Sequence, residues 1–401
     1  MATSEGIPSS IDIEFLELND NPYLISNVMK QITIMLCCLA LLFNATRHLA
    51  AQSRPVATAE GLWLADDGQH INCHGGNIIQ AEDGTYCWYG EHRVENIPGA
   101  SEDGIALYTS RDLKTWHYEG LVLQASPDTL SDIALGCIME RPKVVKNPKT
   151  GKYVMLFHLE LRRKGYAAAR TGFAVANQVK GPFRFVRSLR PNAGRWPADF
   201  KKKDKAAALA LKSEDYKTWW TPQWREAIQK GLFLVRDMKG GQMSRDMTVY
   251  VDDNGRAYHL YSSEDNLTLQ LAELTKDYLG YTGRYWRIAP SGQNEAPTLF
   301  KKNGSYWLIT SGCTGWAPNK ARLFRASKLT GPWQQLDCPA VGRGADKTFG
   351  GQGTYVMPDK DRPGEFLFMA DIWTPKRLSH SRHLWIPIRF VSGLPRLQVE
   401  E

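Results

Sequence analysis

The sequence predicts an all-β protein, a five-bladed β-propeller with a helical insertion between its second and third blades. Two observations lead there. One hairpin pattern recurs five times after about residue 60, and its copies open at residues 74, 140, 246, 295 and 352, three of the intervals being of similar length and the one between 140 and 246 longer. A period of this size, with four strands per unit, marks a propeller, whose sheets bury their faces against one another.

Each copy opens with a polar residue, runs through an apolar strand, turns at a glycine and returns through an aromatic-rich strand. The opening residues are His74, Glu140, Asp246, Glu295 and Gln352, and the turn glycines are Gly84, Gly151, Gly255, Gly304 and Gly364. Asp83-Gly84, Asn254-Gly255 and Asn303-Gly304 supply the positive φ angles that tight hairpins need, and the flanking Val, Ile, Tyr and Trp suit pleated strands. Outer strands follow Ser110 to Trp116 and the corners Gly181-Pro182-Phe183 and Gly331-Pro332-Trp333. Residues 382–390 read as a further strand that closes the ring on the first blade. Between the second and third units, residues 197–235 break the rhythm; the run 206–211 and Trp219, Trp220 and Trp224 have helical spacing, which predicts an insertion at the pit wall or against the propeller's side.

The remaining chain is consistent with one secreted catalytic unit over 52–401. Residues 32–43 form an unbroken apolar run after Met29 and Lys30, with Ala50 and Ala51 downstream, which reads as a secretory signal starting at Met29. The run is too short to cross a bilayer, so residues 1–51 are expected to be an extension plus signal, with a secreted or periplasmic product and no membrane span. The whole chain has 50 Lys and Arg and 42 Asp and Glu; subtracting two bases and five acids in 1–51 leaves 48 against 37, a basic surface. The Lys201, Lys202, Lys203 and Lys205 cluster resembles a solvated helix face, with no nucleic-acid motif beside it. Five cysteines lie beyond the signal without metal-binding spacing, so Cys73 and Cys87 read as small buried residues of one hairpin. A monomer without cofactor is expected.

Because inner strands start at the axis, His74, Glu140, Asp246, Glu295 and Gln352 should meet in one central pit. Carboxylates gathered there raise one another's pKa, and hydrolysis of a glycosidic bond uses such a set, one as proton donor and another to direct water or attack the sugar. Glu295, at the mouth of an apolar strand in Asn294-Glu295-Ala296-Pro297, is the candidate general acid. Asp246 would hold and tune its proton, and Glu140 would bind a sugar hydroxyl or act as base; a structural ion pair with Arg141 or Arg245 is the alternative for each. Aromatic faces for stacking on sugar rings are offered near pit-side loops by Trp88, Tyr89, Tyr166, Trp196, Trp316 and Trp373.

The segments carrying these residues, Ile71 to Gly76, Trp88 to Glu91, Glu140 to Lys143, Ser244 to Met247, Glu295 to Pro297, Thr314 to Trp316 and Phe349 to Gln352, together resemble glycoside hydrolase family 43. The likeness spans about 60–390 and is greatest to the branch of exo-β-1,3-galactanases and related arabinofuranosidases and galactofuranosidases. It implies a five-bladed propeller, inversion at the anomeric carbon, an arabinogalactan-type polysaccharide substrate, and no cofactor, with a structural metal ion in the central channel as an option. By matching position, Glu295 is the general acid, Asp246 its pKa modulator, and Gln352 stands where the branch has its base. A neutral amide has almost no basicity, so Gln352 is expected to orient water, through an imidic tautomer or a relay, with Glu140 as the rival base. Glu91, Tyr166, Asn266 and Thr314 match sugar-contacting positions. A sugar-binding propeller without catalysis is the alternative of a different class, and an interaction propeller a third; release of a monosaccharide separates the first two.

Overall fold

The computed structural model describes residues 61–95, 102–359 and 362–399, together with Thr33 and Met35. The reading of 1–51 as extension and signal therefore lies outside the described residues, apart from those two. Pro55–Glu401 is one compact unit. Among the described residues no helix is long and apolar enough to cross a membrane.

Five antiparallel sheets form the blades. Blade 1 comprises β1 (His74–Gln80), β2 (Tyr86–Arg93), β3 (Glu102–Ser110) and β4 (His117–Gln124), and blade 2 comprises β5 (Ile138–Lys146), β6 (Tyr153–Glu160), β7 (Arg170–Ala176) and β8 (Arg184–Leu189). Blade 3 holds β9 (Met247–Val251), β10 (Ala257–Ser263), β11 (Thr268–Leu274) and β12 (Tyr281–Ile288); blade 4 holds β13 (Asn294–Lys302), β14 (Ser305–Gly312), β15 (Arg322–Ala326) and β16 (Gln334–Leu336). Among the described residues blade 5 has three strands, β17 (Gln352–Pro358), β18 (Phe366–Ile372) and β19 (Arg382–Pro387), followed by a separate hairpin, β20 (Arg389–Val391) and β21 (Leu394–Arg396). The hairpin turns behave as their residues demand: Gly84, Gly255 and Gly304 have φ of 84°, 73° and 70°.

The ring-closing expectation needs correction. The strand at 382–387 pairs with β18 inside blade 5, not with blade 1. Among the described residues side chains make the closure: Trp385 packs within 4.8 Å of Trp63 and 4.9 Å of Trp88, ring centroid to centroid, and the cluster adds Met357, Leu367 and Met369 of blade 5 to Ile78, Tyr108 and Trp116 of blade 1. Two histidines stitch the same seam, with His383 Nε2 at 3.1 Å from the Ile71 carbonyl and His70 Nε2 at 3.0 Å from that of Ser381. Trp88 and Tyr89, expected near the pit, are fully buried between blades, and Trp196 packs partly buried against the core of blades 2 and 3.

The insertion contains α1 (Lys202–Leu209), α2 (Pro222–Lys230) and α3 (Leu232–Arg236). Thr221 caps α2, its hydroxyl accepting from the Trp224 amide, and Pro222 occupies the first turn where no donor is needed. Trp224, Ala227, Ile228, Leu232 and Phe233 make a small core with Leu267 of the turn between β10 and β11. None of the helical residues lines the central pit; the insertion stands beside it. Cys73, Cys87, Cys137, Cys313 and Cys338 are free thiols, the first three buried.

Candidate active site

Four of the five inner strands break register just after their opening polar residue: β1 between His74 and Asn77, β5 between Glu140 and Lys143, β13 between Glu295 and Thr298, and β17 between Gly353 and Tyr355. In three of them the next residue is left-handed, Gly75 at φ 64°, Arg141 at 55° and Ala296 at 50°. An extra residue in one strand bends it and re-aims its side chains, the usual role of a bulge beside a functional site. Gly75 also makes room: a Cβ there would lie 2.1 Å from Glu91 Oε1.

The strand ends enclose a pit of about 260 Å³. Its walls include Glu91, Glu140, Tyr166, Asp246, Asn266, Glu295, Trp316, Gln352 and Trp373, all anticipated, and Arg93, Arg141, His158, Arg245 and Gly315, which were not anticipated as wall residues. Two anticipated residues lie elsewhere. His74 is fully buried behind the wall, its ring stacked 4.9 Å from His383 and tilted against Trp373 at 5.8 Å. Thr314 is in the mouth loop, but its hydroxyl is committed to that loop, donating to the Ala317 carbonyl at 2.6 Å and accepting from Asn319 Nδ2 at 2.7 Å.

Glu295 and Asp246 form one side of the pit. Asp246 Oδ2 accepts the Ala296 amide at 3.0 Å and faces Arg141 Nη2 at 3.1 Å, while Asn266 Nδ2 donates to Glu295 Oε1 at 2.7 Å. Burial, then the charge of Asp246, push the Glu295 carboxyl up to about 7, outweighing Arg141, Cys313 and Asn266. Glu295 is therefore a carboxyl that still holds a proton near neutrality.

Gln352 sits on another wall with both ends of its amide engaged. Its Oε1 accepts from Arg141 Nη2 at 2.6 Å and Trp373 Nε1 at 2.9 Å, and its Nε2 donates to Ser311 Oγ at 3.1 Å. Both partners of the oxygen are pure donors, which fixes the orientation of the amide.

Glu140 belongs to a buried charge network. Tyr166 donates to its Oε1 at 2.8 Å, His158 Nδ1 lies 3.1 Å from its Oε2, and Arg93 pairs with Glu91, Glu102 and Glu140. Burial would raise the Glu140 carboxyl, but His158, Arg93 and Tyr166 together hold it well below the usual carboxylate range. Burial likewise opposes charge on His158, yet Glu140 and Glu160 on its two nitrogens push it up to about 9. At the mouth, Trp316 and Trp373 meet edge to face at 5.4 Å, and Tyr166 is about half exposed, giving apolar ring faces beside polar groups.

Behind the pit, His74, Asp371 and His383 offer ligand atoms within 4.8 Å of one another. His383 spends Nδ1 on Asp371 at 2.9 Å and Nε2 on the Ile71 carbonyl, Asp371 Oδ2 accepts the Gly75 amide at 2.6 Å, and the two imidazoles are stacked at 21°, so their in-plane lone pairs do not converge. Of the two imidazoles, His383 has neither nitrogen free, whereas both nitrogens of buried His74 lack a hydrogen-bond partner among the described residues. Between blades 1 and 2 the chain supplies a cation of its own: buried Lys143 donates to the carbonyls of Gly75, Arg141 and Pro142 at 2.6, 3.2 and 3.3 Å, and burial pushes its pKa down to about 7.

Residues 195–354 match the family model described as glycosyl hydrolases family 43. A solved family 43 β-1,3-galactosidase, in complex with galactodeoxynojirimycin, is 53% identical, with 85% of this chain and 98% of that one covered and a TM-score of 0.81. The chain belongs to glycoside hydrolase family 43. It is thus a glycosidase acting on O-glycosyl bonds, and a purely binding propeller is set aside. The family 43 fold is shared with exo-β-1,3-galactanases of Clostridium thermocellum (29% identical, 86% of this chain and 65% of that one, TM-score 0.68) and Phanerochaete chrysosporium, the latter solved with β-1,3-galactotriose (29%, 85% and 66%, TM-score 0.66). A β-D-galactofuranosidase of Aspergillus niger is 28% identical over 129 residues, a match that spans 31% of this chain and 37% of that enzyme.

Proposed function

We propose that this family 43 member is a secreted, exo-acting, inverting β-1,3-galactosidase that removes terminal galactose from arabinogalactan-type chains. The observation that carries the reading is a protonated Glu295 lining the same pit as the orientationally fixed amide of Gln352. The galactose specificity rests on the names of the solved relatives, two of which were captured with galactose-like ligands. A pit of about 260 Å³ has room for about one sugar ring, which fits removal of end units. Secretion and a monomeric state rest on the sequence alone.

In this reading Glu295 donates its proton to the departing glycosidic oxygen, and Asp246 tunes that proton and steadies the strand end through the Ala296 amide. Gln352 orients the attacking water, which loses its proton to solvent at the open mouth of the pit as its bond to the anomeric carbon forms. An imidic form protonated on Oε1 would point its new O–H at Arg141 and Trp373, neither of which can accept it, so the amide form fits the surroundings better. Glu140, with both oxygens engaged and its basicity lowered, suits holding a sugar hydroxyl rather than removing a proton from water. Trp316 and Trp373 supply stacking faces.

The test is hydrolysis of β-1,3-galactobiose followed by proton NMR. First-formed α-galactose supports the mechanism, and early β-galactose rejects it. Glu295→Gln should lower turnover of galactobiose by about 10²–10⁴-fold, with a much smaller loss on a dinitrophenyl galactoside whose leaving group needs no proton. A loss below about threefold on galactobiose would remove Glu295 from the acid role.

A further inference from the structure

We infer that Trp219 and Trp220 of the helical insertion form an auxiliary platform for the part of a β-1,3-galactan chain that lies outside the pit. The inference rests on the galactosidase reading above, because a chain with one ring in the pit must run out over the surrounding surface.

Three observations place a binding surface here. Trp219 and Trp220 are 47% and 48% exposed, adjacent in sequence, and unusual in a protein that buries Trp88, Trp116, Trp224, Trp307 and Trp385 almost completely. Their rings are backed rather than loose: Trp219 stacks on buried Trp224 at 5.2 Å and 25°, and Trp220 lies 5.0 Å from the same ring with the Arg225 guanidinium 5.6 Å from its centroid. Trp220 is also held at φ 70°, a left-handed conformation costly for a bulky aromatic residue, which the capped start of α2 at Thr221 and Pro222 follows directly. Flat, pre-ordered apolar faces with polar neighbours suit pyranose rings, which present C–H groups on one face and hydroxyls at the edge.

A chain of packed side chains links the patch to the active site. Trp219 packs 5.7 Å from Phe233 on α3, Arg236 covers the Phe233 ring at 4.1 Å, and Arg236 Nη1 donates to Asp265 at 2.5 Å. Asp265 precedes Asn266, which bonds Glu295 directly. The insertion is therefore fastened to the turn that serves the acid, on the pit side of blade 3, without entering the pit.

The experiment compares kcat/KM on long linear β-1,3-galactan with that on β-1,3-galactobiose, for the parent and for the Trp219→Ala, Trp220→Ala double variant. Covering roughly 40 Å² of ring face predicts a fall of about fivefold in the polymer-to-dimer ratio. A ratio within about twofold of the parent overturns the platform. Trp220→Ala alone should move the ratio in the same direction if the double variant folds poorly, and Trp219→Tyr should keep most of it. Retardation in galactan-containing native gels, strong for the parent and lost in the double variant, is read separately. If the parent cleaves neither substrate, the galactosidase reading fails while the gel still judges the platform. A parent dimer that becomes monomeric in the double variant, with the ratio unchanged, assigns the patch to a second copy and overturns the proposal.

Discussion

Asp246→Asn tests the electrostatics of the site most directly. The substitution keeps an oxygen to accept the Ala296 amide but removes one negative charge beside Glu295 and one counter-charge from Arg141. At about 6 Å, the outer reach of a charge that clearly shifts a neighbour's pKa, two unit charges interact by about 2.8 kcal/mol at an effective dielectric constant of 20, or about two pH units. Screening at the open mouth reduces this to about one unit, and the freed Arg141 acts in the same downward direction. Glu295, raised to about 7 in the parent, should then titrate about one unit lower. Because the acid works protonated, activity falls as pH rises through its pKa. At pH 7 the protonated fraction drops from about a half to about a tenth, so kcat/KM on galactobiose falls roughly fivefold from this cause; at pH 5 both forms are mostly protonated and this part of the loss disappears. The assay is a pH series of kcat/KM on galactobiose, with a dinitrophenyl galactoside as the substrate that needs no acid. An alkaline limb that stays in place or moves upward, or a loss uniform across pH, would refute the coupling.

Two further outcomes are expected. Gln352→Ala should reduce kcat on galactobiose by at least about a hundredfold while KM changes little, whereas an unchanged kcat would return the water to Glu140. His158 is held charged, its pKa raised above the unfolded value, so its contribution to stability is full below about pH 6.5 and is lost as pH rises through about 9. Thermal melting of the parent should therefore decline between pH 6 and pH 10 more steeply than that of His158→Gln, and parallel curves would show that the imidazolium contributes nothing.

Much of the fold was legible because the blade unit writes its turns in glycines at fixed distance from a polar opening residue. Glu140, Asp246, Glu295 and Gln352 reach the pit for that reason. His74 misled because position alone does not give side-chain direction: it shares the bulge that follows Glu140 and Glu295, yet its imidazole stacks on His383 behind the wall. Arg93 and His158 do not belong to the opening pattern of the inner strands. Their signal was present, however, at the ends of β2 and β6, the return strands that also finish at the pit, where Glu91, Arg93, His158 and Glu160 interrupt apolar runs. Arg141 was read only as an ion-pair partner; its bridge from Asp246 to Gln352 needs the bulge geometry, which no local pattern states. Trp88 and Tyr89 were drawn toward the pit by sequence proximity to Glu91, but successive residues of β2 alternate between the two neighbouring blades.

The way the ring closes bears on how the molecule comes apart. Among the described residues no strand from one end of the chain is woven into the sheet at the other, and blades 1 and 5 meet there through a zipper of indoles and two imidazole stitches. A join made of side chains lacks the cooperative ladder that secures every other strand, and it can part while both sheets stay whole. The wall on which Gln352 and Trp373 stand belongs to the blade at that join. Loosening it would pull the water-directing side away from the proton-donating side, so that catalysis fails before the blades unravel.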